Sequence, residues 1–173
     1  MQKATVTARL IYAILGVILS SLPLLAADTG KARAQLLPNR LRIIHKAGCG
    51  LDSVAINVVV RAGSARDQDA GGAAHFLEHM LFRGSNNFAS GEAEALIEHL
   101  GGAVNGGTLR DFTHIYATVP SSAFEESLGA LADCVLHPNL DIVAIERERR
   151  IILDEIARQE EEPRRRLWDL AHG

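Results

Sequence analysis

His75 and His79 stand four residues apart in the run His75-Phe76-Leu77-Glu78-His79. On an α-helix that spacing places two imidazoles about 40° apart around the axis, side by side, where both can address one ion. Glu78 then lies on the adjoining edge, while Phe76, Leu77, Met80 and Leu81 form the opposite, apolar side. Such a helix is expected to bury that side and turn its polar stripe toward a cleft. A catalytic zinc needs a third protein ligand and an open position for water. Glu148 and Glu155 lie seven residues apart on one stripe of a later helix. Glu155 would complete a His2Glu set, and Glu148 would orient a ligand or the bound water from behind. Zinc in this setting brings the pKa of its water to about 7, and a free carboxylate takes the proton and passes it to a leaving amine. Glu78 is placed for that work. His45, His99, His114, His137 and His172 lack comparable company and read as structural or exposed residues.

The elements that must position these residues follow from periodicity and punctuation. Gly71-Gly72 opens a helix over residues 73–82, and Gly84 stops it. The late helix is expected over residues 141–162; Pro163 ends it and starts another through Trp168. Residues 41–45 and 54–61 are rich in β-branched side chains and, with Gly48-Cys49-Gly50 as a turn, suggest a β-hairpin. In its second strand Ile56, Val58 and Val60 share one face and Ala55, Asn57 and Val59 the other, so both faces are expected to be covered. A helix over 91–100 precedes a second hairpin built from 103–109 and 112–119. Ser122 with Glu125 has the spacing of a capping box opening a helix to Leu136. The expected fold class is α+β, a mostly antiparallel sheet packed with helices, in one domain over 35–173.

Composition narrows the partners. The 173 residues suit one domain with a real core, and the net charge of -3 offers no broad basic field for nucleic acid. Arg147, Arg149 and Arg150, and again Arg164 to Arg166, are interleaved with or preceded by glutamates and read as solvated helix faces. Cys134 lies in an apolar helical stretch and reads as a small core residue; neither it nor Cys49 has a metal-spaced partner. At the N-terminus, Lys3 and Arg9 precede the apolar run 10–19, followed by small-x-small sites near Ala27 and Ala34. That is the pattern of a signal peptide and leader over 1–34, implying a secreted or periplasmic protein. The run is shorter than the roughly 20 residues that span a bilayer, so membrane contact is expected only through this segment.

Around these residues the chain resembles the pitrilysin and insulinase family, the inverzincins, which includes the mitochondrial processing peptidase β-subunit. The likeness begins at Leu37-Pro38-Asn39-Arg40-Leu41-Arg42, runs through residues 74–84 and Gly101-Gly102-Ala103-Val104-Asn105, and includes Thr108, Asp111, Thr113 and Tyr116. It continues through Leu136-His137-Pro138-Asn139 and residues 146–150 to Leu153-Asp154-Glu155-Ile156. The resemblance implies that His75, His79 and Glu155 bind Zn2+, that Glu78 is the catalytic base, and that Glu148 assists. It also implies that the segment after the glycine pair is an edge strand to which a peptide or unfolded protein segment adds, with Asn105 at a substrate-contacting position. Gly106-Gly107 departs from the usual alanine and aromatic residue, and Leu109 from a small polar one. Family members pair the zinc-bearing half with a second half that closes a clamshell, so a second half or partner subunit is expected here, the chain being a truncated N-terminal portion. The reading is a zinc metalloendopeptidase; the alternative is a non-catalytic member that binds peptides or assembles with a partner.

Overall fold

A computed structural model describes residues 31–47, 50–67 and 71–160. Its elements, in chain order, are β1 (Arg33–Leu36), β2 (Arg42–His45), β3 (Ser53–Val60), α1 (Ala73–Leu81), α2 (Glu92–His99), β4 (Ala103–Thr108), β5 (Thr113–Pro120), α3 (Phe124–Leu136) and α4 (Ile142–Glu160). Short 3-10 turns at Ser64–Arg66 and Ser121–Ala123 precede α1 and α3. Among the described residues the strands form two sheets, a β1–β2 ribbon and a three-stranded sheet ordered β3-β5-β4, antiparallel throughout. The α+β expectation holds.

The central strand explains the core. Thr113, Ile115, Ala117 and Val119 of β5 alternate inward and are buried. Their partners on the same face are Val54, Ile56 and Val58 of β3 and Val104, Gly106 and Thr108 of β4. Against this face pack Leu81 of α1, Ala93 and Ile97 of α2, and Ala130, Leu131 and Cys134 of α3. Cys134 is thus a core residue, and burial pushes its thiol up to about 11.

Several expectations are corrected. β2 does not form a hairpin with β3; it pairs with β1 across the tight turn at residues 37–40, closed by Leu37 N–H to Leu41 O at 2.8 Å with Arg40 at φ 68°. β3 pairs instead with β5, because that register sets its inward apolar residues beside those of the central strand. The ribbon itself starts at Arg33, where Arg33 and Ala34 pair with His45 and Ile44. Among the described residues β3 is covered on one face only: Ala55, Asn57 and Val59 are left exposed, Val59 at 54%. Leu77, expected to be buried, is 47% exposed, because it sits a turn nearer the start of α1 than Met80 and Leu81, where no described element covers it. The capping box is absent: α3 begins after the 3-10 turn at Ala123 without a side-chain cap, and the Ser121 hydroxyl bonds Asp52. The 48–50 turn, residues 1–30, Cys49, Arg164 to Arg166, His172 and the helix through Trp168 lie wholly or partly outside the described residues.

Three devices hold α1 in place. Asp67 accepts the backbone N–H groups of Gly72 and Ala74, both at 3.0 Å, putting a carboxylate where the helix start has unpaired donors. At the other end Asp133, 1% exposed, accepts the Ser85 hydroxyl at 2.6 Å and the Asn87 backbone and side-chain N–H groups at 3.0 and 2.9 Å. That carboxylate staples the segment after α1 to α3. Finally, the backbone at Gly63 lies flat against the β4–β5 turn, where Ser64 and Ala65 donate to the carbonyls of Leu109 and Arg110 at 3.0 and 2.9 Å. A Cβ at Gly63 would press on the Leu109 carbonyl oxygen, 2.5 Å from Phe112 N and 2.8 Å from Arg110 O. Those atoms are backbone and cannot swing aside. Gly63→Ala is therefore expected to lower stability by about 3 kcal/mol or more; a urea-unfolding midpoint equal to that of the parent would show that the contact is slack.

Candidate metal centre

His75 and His79 project from α1 on one stripe, and Glu148 and Glu155 from α4 on another. The inward line of α4 is Ile145, Glu148, Ile152 and Glu155, three or four residues apart, with Ile152 and Glu148 buried. Asp141 accepts the Val143 N–H at 3.1 Å at the start of α4, the role its residue type favours. Ile152 anchors the helix seam between the two glutamates, which leaves both carboxylates facing the histidines.

The geometry is that of a shared cation. His75 Nε2 and His79 Nε2 lie 3.2 Å apart, and Glu155 Oε2 is 3.6 Å from the second and 3.9 Å from the first. Tetrahedral zinc, with bonds of about 2.0–2.2 Å, keeps its ligands about 3.3 Å from one another. A shift of a few tenths of an ångström in the Glu155 carboxylate closes the triangle to that size, so the residues fit the ion. His75 and Glu155 side chains are each 35% exposed, leaving a side open to water and substrate. Among the described residues these three are the group of His, Cys, Asp and Glu side chains able to hold a metal.

Behind the triangle stands an ion pair with a buried carboxylate and a partly exposed arginine. Glu148, 1% exposed, lies 3.3 Å from His79 Nδ1 through Oε2 and 2.7 Å from Arg83 Nε through Oε1. The second contact is close but poorly aligned for a hydrogen bond, so charge rather than direction holds Arg83 there. With Nδ1–H given to Glu148, His79 presents the lone pair of Nε2 toward Glu155 and His75. Arg83 also faces Glu94, whose carboxyl is pushed up by burial, drawn back down by Arg83, and raised further by Glu98 and Glu148.

Glu78 has a separate set of neighbours. Its Oε2 accepts the Thr108 hydroxyl of β4 at 2.6 Å, and Gly106 lies beside its other oxygen. Asn105 is not brought into this group: it is exposed, faces the opposite side of β4 from Gly106 and Thr108, and accepts the Gly106 N–H at 2.8 Å. The reading of residue types missed two members, Arg83 and Thr108, as parts of the site. Arg83 continues the stripe of His75 and His79 at the next four-residue step and was visible in principle. No local pattern links Thr108 to Glu78, thirty residues earlier.

Glu148→Gln keeps the shape but removes the charge that holds Arg83 and strengthens His79 as a ligand. Zinc affinity is expected to fall about 10- to 100-fold, read by competition with a chromophoric chelator; unchanged affinity would detach Glu148 from the centre.

Comparison with known proteins identifies the family. The family model for insulinase (peptidase family M16) matches residues 43–172. An uncharacterized zinc protease of Mycobacterium leprae is 35% identical over 147 residues, covering 84% of this chain and 33% of the relative. A probable mitochondrial-processing peptidase subunit beta of Arabidopsis thaliana is 34% identical over 144 residues, covering 83% of this chain and 27% of its own length. The chain therefore spans about a third or less of these relatives. Among solved structures, pitrilysin superposes with a TM-score of 0.68 at 30% identity, over 77% of this chain and 15% of that one. A protease from Helicobacter pylori shares the fold with a TM-score of 0.75 at 24% identity, over 80% of this chain and 34% of that one. With the inverted His75-Phe76-Leu77-Glu78-His79 motif on one helix and Glu155 meeting it from another, the chain belongs to the insulinase family of peptidases, M16.

Proposed function

We propose that this chain is the zinc-bearing portion of a metalloendopeptidase that hydrolyses peptides or unfolded protein segments. The observation that carries the reading is the convergence of His75 Nε2, His79 Nε2 and Glu155 Oε2 within 4 Å of one another, with Glu78 directly preceding His79 on the same helix. Relatives that are named zinc proteases support the choice of metal. Bound to these three side chains, zinc would acidify a coordinated water and polarise the scissile carbonyl.

The remaining roles fall to the chain itself. Glu78 takes the proton of the attacking water at a carboxylate oxygen and delivers it to the departing amine. Glu148 holds His79 in the tautomer that leaves Nε2 free, and Arg83 neutralises Glu148. β4 is an edge strand among the described residues, paired with β5 on one side, so its other side is available to an extended peptide. A substrate added there acquires main-chain hydrogen bonds with little demand on its side chains, and Asn105, exposed on β4, is placed to touch it.

A second half or partner subunit belongs to the same proposal. α4 exposes Ile142, Val143, Leu153 and Ile156, at 43% to 73%, apolar surface of the kind that an assembled peptidase would cover. Export to a secreted or periplasmic location rests on the N-terminal charge and apolar run alone. No helix of the described residues is long and apolar enough to cross a membrane.

Elemental analysis is expected to find one zinc per chain, lost in His75→Ala, His79→Ala and Glu155→Ala. Glu78→Gln should keep the zinc and lower hydrolysis of an unfolded protein substrate by about 100-fold or more. Zinc retained in the ligand variants would remove the metal centre, and full hydrolysis by Glu78→Gln would remove the base. A zinc-loaded parent that cuts nothing would favour the peptide-binding or partner-assembling alternative.

A further inference from the structure

The Thr108 hydroxyl has three oxygens around it: Glu78 Oε2 at 2.6 Å, Thr113 Oγ1 at 3.3 Å and the Ala74 carbonyl at 3.5 Å. A hydroxyl carries one proton, so the distribution can be worked out. Thr113, 7% exposed, spends its own proton on the Ala62 carbonyl at 2.9 Å. Thr108 is left with a charged acceptor at the distance of a charge-assisted O–H···O bond and two poorer ones. Its proton goes to Glu78.

The donor is also held still. Thr108 ends β4 opposite Thr113, directly before the turn on which the Gly63 backbone rests, and its branched side chain has few rotamers. On the other side of the carboxylate is Gly106, two residues earlier on the same face. A Cβ there would stand 2.9 Å from Glu78 Oε1, 3.1 Å from Cγ and 3.3 Å from Cδ. The bare glycine therefore leaves the room in which Glu78 leans onto Thr108, where alanine would make it give way.

We propose that Thr108 is a positioning residue for Glu78: by donating to Oε2 it ties down one carboxylate oxygen and leaves Oε1 as the oxygen that receives the water's proton, in space kept open by Gly106. This rests on the peptidase reading for its purpose, but the contact itself can be tested apart from activity. General-base transfer demands that the base stay within hydrogen-bond reach of the water, and a carboxylate free to rotate spends much of its time elsewhere.

Two measurements on the zinc-loaded chain decide it. The first is a double-mutant cycle in urea unfolding with Thr108→Val and Glu78→Ala. Thr108→Val is expected to shift the midpoint clearly in the parent and much less in the Glu78→Ala background; equal shifts in both overturn the proposal, whether or not the chain cuts anything. The second is steady-state hydrolysis. Thr108→Val should lose about 10- to 100-fold in kcat with KM and zinc content unchanged, and Thr108→Ser should recover most of that loss. A rise in KM or a loss of zinc in place of the fall in kcat, or no recovery with serine, assigns Thr108 to packing and overturns the proposal. Coupling in the cycle with a parent that hydrolyses nothing supports the contact and counts against hydrolysis by this chain without its second half, so the two failures are separable.

Discussion

Glu148 is a carboxylate with 1% of its surface exposed, wedged between two helices, and the metal centre depends on how that charge is kept there. Stripping water from such a group costs several kcal/mol, which an apolar neighbour would not offset. Arg83 supplies the opposite charge at 2.7 Å, and His79 supplies a ring N–H at 3.3 Å. Both partners come from α1 or the residues just after it, so satisfying Glu148 locks the approach of α4 to α1. Once that approach is set, Glu155, two turns further along the same stripe, arrives beside the two imidazoles. The ion pair and the ligand triangle are thus one device seen at two depths: the buried layer fixes the helices, and the half-exposed layer meets the ion.

The sheet performs the same service from the other side. β5 is central and apolar on its inward face, so β3 and β4 are held in register by burial as well as by hydrogen bonds. β4 carries Gly106 and Thr108 inward and touches Glu78 with both. The base is thereby referenced to the strand that would receive a peptide, whereas the metal ligands are referenced to the helix pair. The Asp67 cap and the buried Asp133 staple hold the two ends of α1, the element common to both sets. A shift of α1 would spoil the metal triangle and the Thr108–Glu78 contact together.

Where the reading of the chain went astray, the cause was pairing or coverage rather than the existence of elements. Residues 42–45 and 53–60 are strands, as their β-branched content indicates, but adjacency in sequence suggested a hairpin that the structure does not form. The winning partner for β3 is β5, sixty residues on, because its inward residues Ile115, Ala117 and Val119 complete an apolar face that β2, largely exposed, does not offer. The apolar character of both faces of β3 suggested double coverage, yet among the described residues the face of Ala55, Asn57 and Val59 is left exposed. Ser122 and Glu125 had the capping spacing, but the 3-10 turn at Ser121–Ala123 occupies that stretch, and the Ser121 hydroxyl engages Asp52 instead.

Residue type and spacing by themselves determined that α1 presents two imidazoles on one stripe with a carboxylate on the adjoining edge, that α4 presents two carboxylates seven apart, and that strands and helices mix in an α+β chain. Those are local facts, set by 3.6 residues per turn and by alternation along a strand. Tertiary structure alone decided that Glu155 reaches the histidines, that Arg83 is the counter-charge for Glu148, and that Thr108 rather than Asn105 touches Glu78. These contacts join residues up to eighty positions apart. No periodicity spans such distances; they are fixed by which apolar faces bury against each other, and the polar groups riding on those faces meet as a consequence.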